Sequence, residues 1–260
     1  MSGFSSEWLA LREPLDLDAR NRDVEDAFVG GLPPGPVRLL DLASGAGSTV
    51  AALAPRLDRQ VDWLLTDYDP ALLAIAQDRR GDRVATRQVD LQADLERLRF
   101  EDVDAVTTSA FLDLASEPFL RRLAERVAAA RKPFLASLTY DGRSSFAPAH
   151  PMDERLLEGL NRHQRTDKGF GPALGPDAAA RALTLFEEKG FKVLSGPSDW
   201  EITPASADFL MEFLSGWLRV GRELSLPEDA LASWWQDRQA RIRAGELSMM
   251  VGHIDFVALP

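Results

Sequence analysis

A parallel β-sheet covered by helices on both faces is the architecture this sequence predicts, and three observations predict it. Short strand-like runs alternate with helix-like runs of apolar period three to four from Val37 to Thr139. Several of those strands are apolar on both faces in places, as strands sandwiched between helices have to be. One of them, Val37 to Leu42, runs through Ala43-Ser44-Gly45-Ala46-Gly47 into a helix opening at Ser48, so that the glycines permit a tight turn and a close backbone approach.

Residues Ser6 to Phe28 are polar and helical in character, but Pro14 interrupts the pattern, which predicts two short helices or one helix and an irregular arm. Trp8 anchors this arm, while Arg12 and Arg20 either reach a ligand carboxylate or face water. Gly30 to Pro36 is a turn and linker. Beyond it the alternation is regular: strand 37–42, helix 48–57, strand 61–66, helix 70–80, strand 83–89, short helix 92–98, strand 103–108, helix 117–130 and strand 133–139. Asp69-Pro70 supplies an N-cap and a first helical residue. Right-handed crossovers bring the C-terminal ends of the parallel strands to one rim, which gathers Asp41, Asp67, Asp90, Ser109 and Tyr140.

After Tyr140 the rhythm breaks. A helical piece from Met152 to about Gln164 places Leu156, Leu160, His163 and Asp167 on one face. His163 then reads either as a buried, singly bonded histidine or, with Asn161, Gln164 and Lys168, as part of a substrate-recognition lid. A helix from Asp177 to Lys189 ends at Gly190, and Phe191 to Leu194 is a sixth strand. Two amphipathic helices follow, one from Thr203-Pro204 and one from a capping box at Ser225-Leu226-Pro227-Glu228, their aromatics reading as packing anchors. Met249 to Leu259 is the closing strand.

A strand ending in an acid, a glycine turn and a helix N-terminus form a cradle for a small polar ligand. Asp67 stands 20 residues beyond Gly47, the spacing of a carboxylate that meets a ribose diol. Val50 occupies the place of the third glycine of a dinucleotide motif, and no Walker-type lysine is present. With these motifs in order, the chain resembles the class I S-adenosylmethionine-dependent methyltransferases from about Val37 to Leu138, more weakly to Pro260.

In that family the turn reads Asp/Glu-x-Gly-x-Gly-x-Gly, and here it reads Asp41-Leu42-Ala43-Ser44-Gly45-Ala46-Gly47, with Ala43 for the first glycine, tolerable if its φ is negative. The resemblance implies a Rossmann-like, seven-stranded, mostly parallel sheet in the order 3-2-1-4-5-7-6, with an antiparallel last strand. It also implies S-adenosylmethionine as cofactor. Gly45 and Gly47 would lie beside its methionine part, Asp67 would hold its ribose hydroxyls, and Asp90 followed by Leu91 would meet its adenine, a reading the combined motifs favour over the capping of the next short helix by Asp90, while Asp41, Ala43, Ser44 and Tyr68 complete the expected cofactor-binding set. Thr108, Ser109 and Phe111 would stand near the transferred methyl. An added helical cap would come from residues 1–29, 143–176 and 203–247 of a single domain.

A methyl group on sulfonium is already activated, so the chain needs alignment and, for an oxygen acceptor, a base. Tyr140, His163 and Asp113 are the candidates, Asp113 reading alternatively as a helix start. Arg12, Asn161, Gln164 and Lys168 are the candidate substrate contacts. The absence of Cys excludes disulfides, thiolate metal sites and cysteine nucleophiles. The three histidines show no compact metal spacing, so no metal is expected. A net charge of −11 and the lack of a basic tract argue against nucleic acid, and the lack of the Asn/Asp-Pro-Pro-aromatic motif after the fourth strand argues against base methylation. No leader-like segment or membrane span is evident, which predicts a soluble, cytoplasmic enzyme with a small-molecule substrate. Two alternatives remain beside it: a catalytically inactive S-adenosylmethionine-binding protein, and a Rossmann-type oxidoreductase.

Overall fold

The computed structural model describes residues 5–260, so the first four residues of the expected N-terminal arm lie outside it. Helices α1 (Ser6–Ala19) and α2 (Arg22–Gly30) precede strand β1 (Val37–Leu42). Then come α3 (Ser48–Leu53), β2 (Val61–Asp67), α4 (Pro70–Arg80), β3 (Val84–Gln88), α5 (Leu91–Asp94), β4 (Ala105–Ser109), α6 (Glu117–Ala130) and β5 (Phe134–Ala147). The second part contains α7 (Asp153–Gln164), α8 (Ala178–Glu188), β6 (Lys192–Pro197), β7 (Trp200–Ile202), α9 (Ala207–Glu223), α10 (Glu228–Ala244) and β8 (Ser248–Leu259).

The strands form one sheet in the order β3-β2-β1-β4-β5-β8-β6, with the short β7 added alongside β8. Pairing is parallel from β3 through β5, and β8 is antiparallel to both β5 and β6. This is the expected order, with β8 as the inserted last strand. The period of two along each strand sorts its side chains between two cores. Leu39, Ala105, Leu135 and Val257 point to the layer of α2, α3 and α4, where Phe28, Leu53 and Leu73 are buried. Leu40, Val106, Phe134 and Phe256 point to the layer of α6 and α8, against Leu123 and Phe186. Both faces are therefore dry, which is why these strands read as near-continuous apolar runs. A third core joins the flanks of α7, α9 and α10 to β7 and the start of β8 around Trp200, Phe209, Trp217 and Trp234.

Four expectations change. Pro14 lies inside α1 rather than ending it, because tertiary contacts hold the helix: Trp8 stacks on Phe209 and Arg12 pairs with Asp16 across that turn. The break falls at Arg20, where ψ is 134°, and Asn21 caps α2 by accepting from the Val24 N–H. Strand β5 runs on through Tyr140 to Ala147 because its far half pairs with β8, so the insertion expected from residue 143 begins only after Ala147. The capping box at Ser225 does not form: Ser225 adopts φ +55° while closing α9, with the Leu226 N–H on the Gly221 carbonyl, and Pro227 precedes α10. The first helix of the pair starts at Ala207 rather than at Thr203-Pro204.

Within the cap, a buried charge ties α10 to the start of α7 and to the loop after β5. Arg238, fully enclosed, donates to Asp153 at 3.2 Å and to the Pro148 carbonyl at 2.8 Å, and the Trp234 Nε1–H donates to the same carboxylate at 2.8 Å. Removing the carboxylate leaves a guanidinium in the dry interior. Asp153→Ala should therefore lose about 3 kcal/mol of unfolding free energy in urea titration. A loss below about 1 kcal/mol would show the pair to be incidental.

Candidate active site

The site is built where the parallel strands end. At the end of β1 the chain turns through Ala43 (φ +51°), Gly45 (φ +52°) and Gly47 (φ +83°). The negative φ expected of Ala43 is thus not found. The Ser44 N–H donates to the Thr66 carbonyl at 3.0 Å, which fixes the turn against β2 and forces Ala43 left-handed. That conformation costs a residue with a Cβ about 1–2 kcal/mol. Ala43→Gly should accordingly raise stability by about 1 kcal/mol in chemical denaturation. No gain would mean that the Ala43 methyl group offsets the strain by packing.

The Gly45 N–H donates to Asp67 Oδ2 at 2.8 Å, and Asp67 Oδ1 accepts from the Asp69 N–H at 2.9 Å. Burial still pushes the carboxyl above its ordinary range, so it is held in place by backbone donors without being quenched by a cation. Asp41 lies below the turn, fully buried, accepting from the Thr107 hydroxyl at 2.7 Å and pushed up to about 6 chiefly by burial. Thr108 is also below, its hydroxyl donating to the Leu42 carbonyl at 2.9 Å. These two support the turn and do not face its ligand side.

Above the rim lies a cavity of about 1170 Å³. Of the expected cofactor residues it is lined by Ala43, Ser44, Gly45, Asp67, Tyr68, Ser109 and Phe111. Asp41, Gly47, Asp90, Leu91 and Thr108 are not in its wall. Asp90 caps α5, its carboxylate accepting from the Gln92 N–H at 3.0 Å, and Leu91 is buried in the core. Gly47 instead packs under Arg80.

The three candidate proton-handling residues all reach the cavity wall, together with Arg12, Gln164 and Lys168. Asp113 follows β4 on a short 3-10 turn and is buried; burial first, against the pull of Arg12 and Lys168, pushes it up to about 6. It does not start α6, whose N-cap is Ser116. Tyr140 donates its hydroxyl proton to Asn161 Oδ1 at 2.8 Å, and Asn161 Nδ2 donates to the Gly142 carbonyl at 3.0 Å. Asn161 thus stays out of the wall and orients Tyr140, while burial raises the phenol and keeps it protonated. His163 is bracketed: Nδ1 lies 3.4 Å from Lys168 Nζ and Nε2 lies 3.3 Å from Glu223. An ammonium only donates, so Nδ1 accepts and Nε2 carries the proton toward the carboxylate. Its lone pair is therefore engaged, and burial, with Lys168 next, lowers its proton affinity.

Sequence reasoning missed several wall residues. Trp8, Phe213 and Trp217 were read as packing anchors, and they both pack and line the cavity, as does Trp200 of β7. Arg12 and Arg20 do not face water: Arg12 is buried beside Asp16, and Arg20 is buried with Nη2 donating to Ser109 Oγ at 3.1 Å. His253 was weighed only as a metal ligand; it is buried on the wall against Trp200 and Tyr140, its ring held neutral by a pKa lowered to about 3, mainly through burial. Its place on the antiparallel β8 beside Tyr140 was the one signal for it. Among the described residues no metal-holding group of acids and histidines converges, and no helix is long and apolar enough to cross a membrane.

A seven-strand order with an antiparallel insertion, a glycine turn bonded to an acid on the next strand, and a cavity over both define an α/β fold with a candidate small-ligand site at the ends of its parallel strands. Residues 39–133 match the family described as "Methyltransferase domain". No curated protein is similar in sequence. Among solved structures, a Bacillus halodurans C-125 protein provisionally assigned as a methyltransferase superposes with TM-score 0.52 at 15% identity, over 92% of this chain and 98% of that one. An S-adenosylmethionine-dependent methyltransferase of Thiobacillus denitrificans, bound to S-adenosyl-L-homocysteine, does so with TM-score 0.50 at 14% identity, over 99% of each chain. Over residues 39–133 the chain is thus similar to that methyltransferase domain, and the two solved structures share its fold, the second of them with an S-adenosylmethionine-derived ligand bound.

The residues present fit S-adenosylmethionine as donor. Ser44 Oγ is buried without a hydrogen-bond partner on the wall of the cavity. A Cβ added at Gly45 would enter the space beneath Leu9, at 3.6 Å, and Asp67 presents its carboxylate beside both. Ser44 and the glycine turn would hold the methionine part, and Asp67 the ribose hydroxyls.

Proposed function

We propose that the chain is an S-adenosylmethionine-dependent methyltransferase acting on an oxygen or nitrogen of a small-molecule acceptor and that Asp113 takes the acceptor's proton. One observation carries the reading: a single cavity connects Asp67 at the donor end with Asp113, Tyr140 and Lys168 at the other. At about 1170 Å³ it exceeds the usual volume of a one-ligand pocket, roughly 300–1000 Å³, and suits a donor and an acceptor side by side. The net charge of −11 opposes a nucleic-acid acceptor and is in keeping with a metabolite-sized substrate.

Bound S-adenosylmethionine supplies the methyl group: the acceptor lone pair forms the new bond to carbon, and the C–S electron pair stays on sulfur. The chain supplies alignment, dryness and a proton acceptor. Asp113, with a carboxyl near 6, is ionised at neutral pH yet basic enough to take a proton as the acceptor is alkylated. Tyr140 stays protonated and, with its own hydrogen given to Asn161, can only accept from the acceptor group. His163 orients Lys168 and is not the base.

The test is methyl transfer from isotopically labelled S-adenosylmethionine into a broad panel of alcohols, phenols, carboxylic acids and amines, with RNA and DNA as further arms. Label in small molecules is the expected result. Label in nucleic acid alone, or in nothing despite tight donor binding, would overturn the reading.

A further inference from the structure

Helix α1 turns two stripes toward the cavity. Leu9 lies over Gly45, and Glu13, one turn on, pairs with Arg79 and Arg80 of α4, so this stripe closes the donor half. Trp8, Arg12 and Asp16 form the other stripe and meet α9 and β7. Trp8 stacks on Phe213 at 5.9 Å, the Arg12 guanidinium lies over the Trp200 ring at 5.4 Å, and the Trp200 Nε1–H donates to Asp16 at 3.1 Å. The fork of Arg12 therefore belongs to the acceptor half.

That fork is built and open. Arg12 is only 9% exposed, its Nε donates to Asp16 Oδ2 at 2.8 Å, and Asp16 is itself fixed by Trp200. Nη1 and Nη2 make no hydrogen bond among the described residues, although the side chain lines the cavity. The charge of Arg12 reaches Asp113 and His253, favouring the carboxylate at the first and the neutral imidazole at the second. Asp16 offsets that charge, and Lys168 is a second cation on the wall that faces Asp113 and Glu223, so it is the open fork and not the net charge of the wall that would select an oxyanion. A rigid guanidinium with both terminal nitrogens free matches the two oxygens of a planar or tetrahedral oxyanion. Trp8, Phe213 and Trp217 on the same wall suit an apolar or aromatic body.

We infer that the acceptor is an acid whose carboxylate or phosphate docks on the open fork of Arg12. The inference rests on the donor and acceptor halves assigned under Proposed function. It is tested by calorimetric titration of the protein loaded with S-adenosylhomocysteine, using 3-phenylpropionate, 2-phenylethyl phosphate and the neutral 3-phenylpropionamide. One of the two acids should bind at least about tenfold tighter than the amide, and which one does so tells carboxylate from phosphate. Arg12→Gln and Arg12→Lys should both reduce that preference to less than about threefold, the lysine variant retaining charge and packing but not the fork. Affinity for S-adenosylhomocysteine should be unchanged in both.

An amide that binds wild type as well as the acids overturns the inference, and so does the failure of both acids to bind. Variants that weaken S-adenosylhomocysteine but not the acid overturn it as well, by giving the fork to the donor. If wild type does not bind S-adenosylhomocysteine, the donor assignment fails instead, and the acid-against-amide comparison on unloaded protein still decides the role of Arg12.

Discussion

Asp67→Ala should lower the affinity for S-adenosylhomocysteine at least about 100-fold, measured by calorimetry. The expectation follows from what the carboxylate is free to do. Oδ2 holds the Gly45 amide and Oδ1 the Asp69 amide, and both oxygens retain acceptor capacity toward the cavity. Two ribose hydroxyls donating to a partly buried carboxylate contribute about 1.5–3 kcal/mol each, and about 1.4 kcal/mol is a factor of ten. The truncation also frees the Gly45 N–H and loosens the turn that shapes the methionine end. Asp67→Asn separates the two effects, since it keeps the size and one acceptor oxygen and should fall between wild type and alanine. Affinity within about threefold of wild type in the alanine variant would remove Asp67 from the donor site.

Asp113→Asn should reduce kcat by about 10²–10³ while leaving S-adenosylhomocysteine affinity intact, if Asp113, which lines the cavity, takes the acceptor's proton as proposed. The pH profile gives the stronger test. The active form is the carboxylate, so wild-type kcat/KM should rise with pH through about 6 and level off above it, as the carboxyl raised by burial loses its proton. In the asparagine variant that acidic limb should vanish from the residual rate. A variant that keeps the wild-type plateau would assign the proton to solvent. Persistence of the limb would assign it to another group, and His163, whose proton affinity is lowered by burial and Lys168, would be the first to test.

Much of the donor half was legible in the sequence. Ser44, Gly45 and Asp67 line the cavity where a turn and a fixed spacing put them, and those are local properties of the chain, whereas Asp41 lies below the turn as its support. Even there local reading had a limit. Ala43 takes φ +51° because its neighbour Ser44 is bonded to a carbonyl on β2, a constraint no residue at 43 announces. Asp90 reads as an adenine ligand once the motifs are combined, and it caps α5.

The acceptor half was scarcely legible, for a different reason. Its wall comes from segments far apart in sequence, α1, the turn after β4, β5, α7, β7, α9 and β8, and each contributes residues that a core would use in the same way. Arg12 looks like a surface arginine until Asp16 and Trp200, 184 residues apart, close on it through one indole N–H. His253 looks like an unpaired histidine until β8 lies beside β5 and sets it against Tyr140.

What the sequence determined by itself was the alternation of strands and helices and the glycine turn proposed to hold the donor, because periodicity, caps and glycines act over a few residues. What only the tertiary structure decided was which buried polar groups stay open to the cavity. Asp113 owes its raised carboxyl, and Arg12 its open donors, to burial and to neighbours brought from distant segments, and burial exists only once the chain has closed over them.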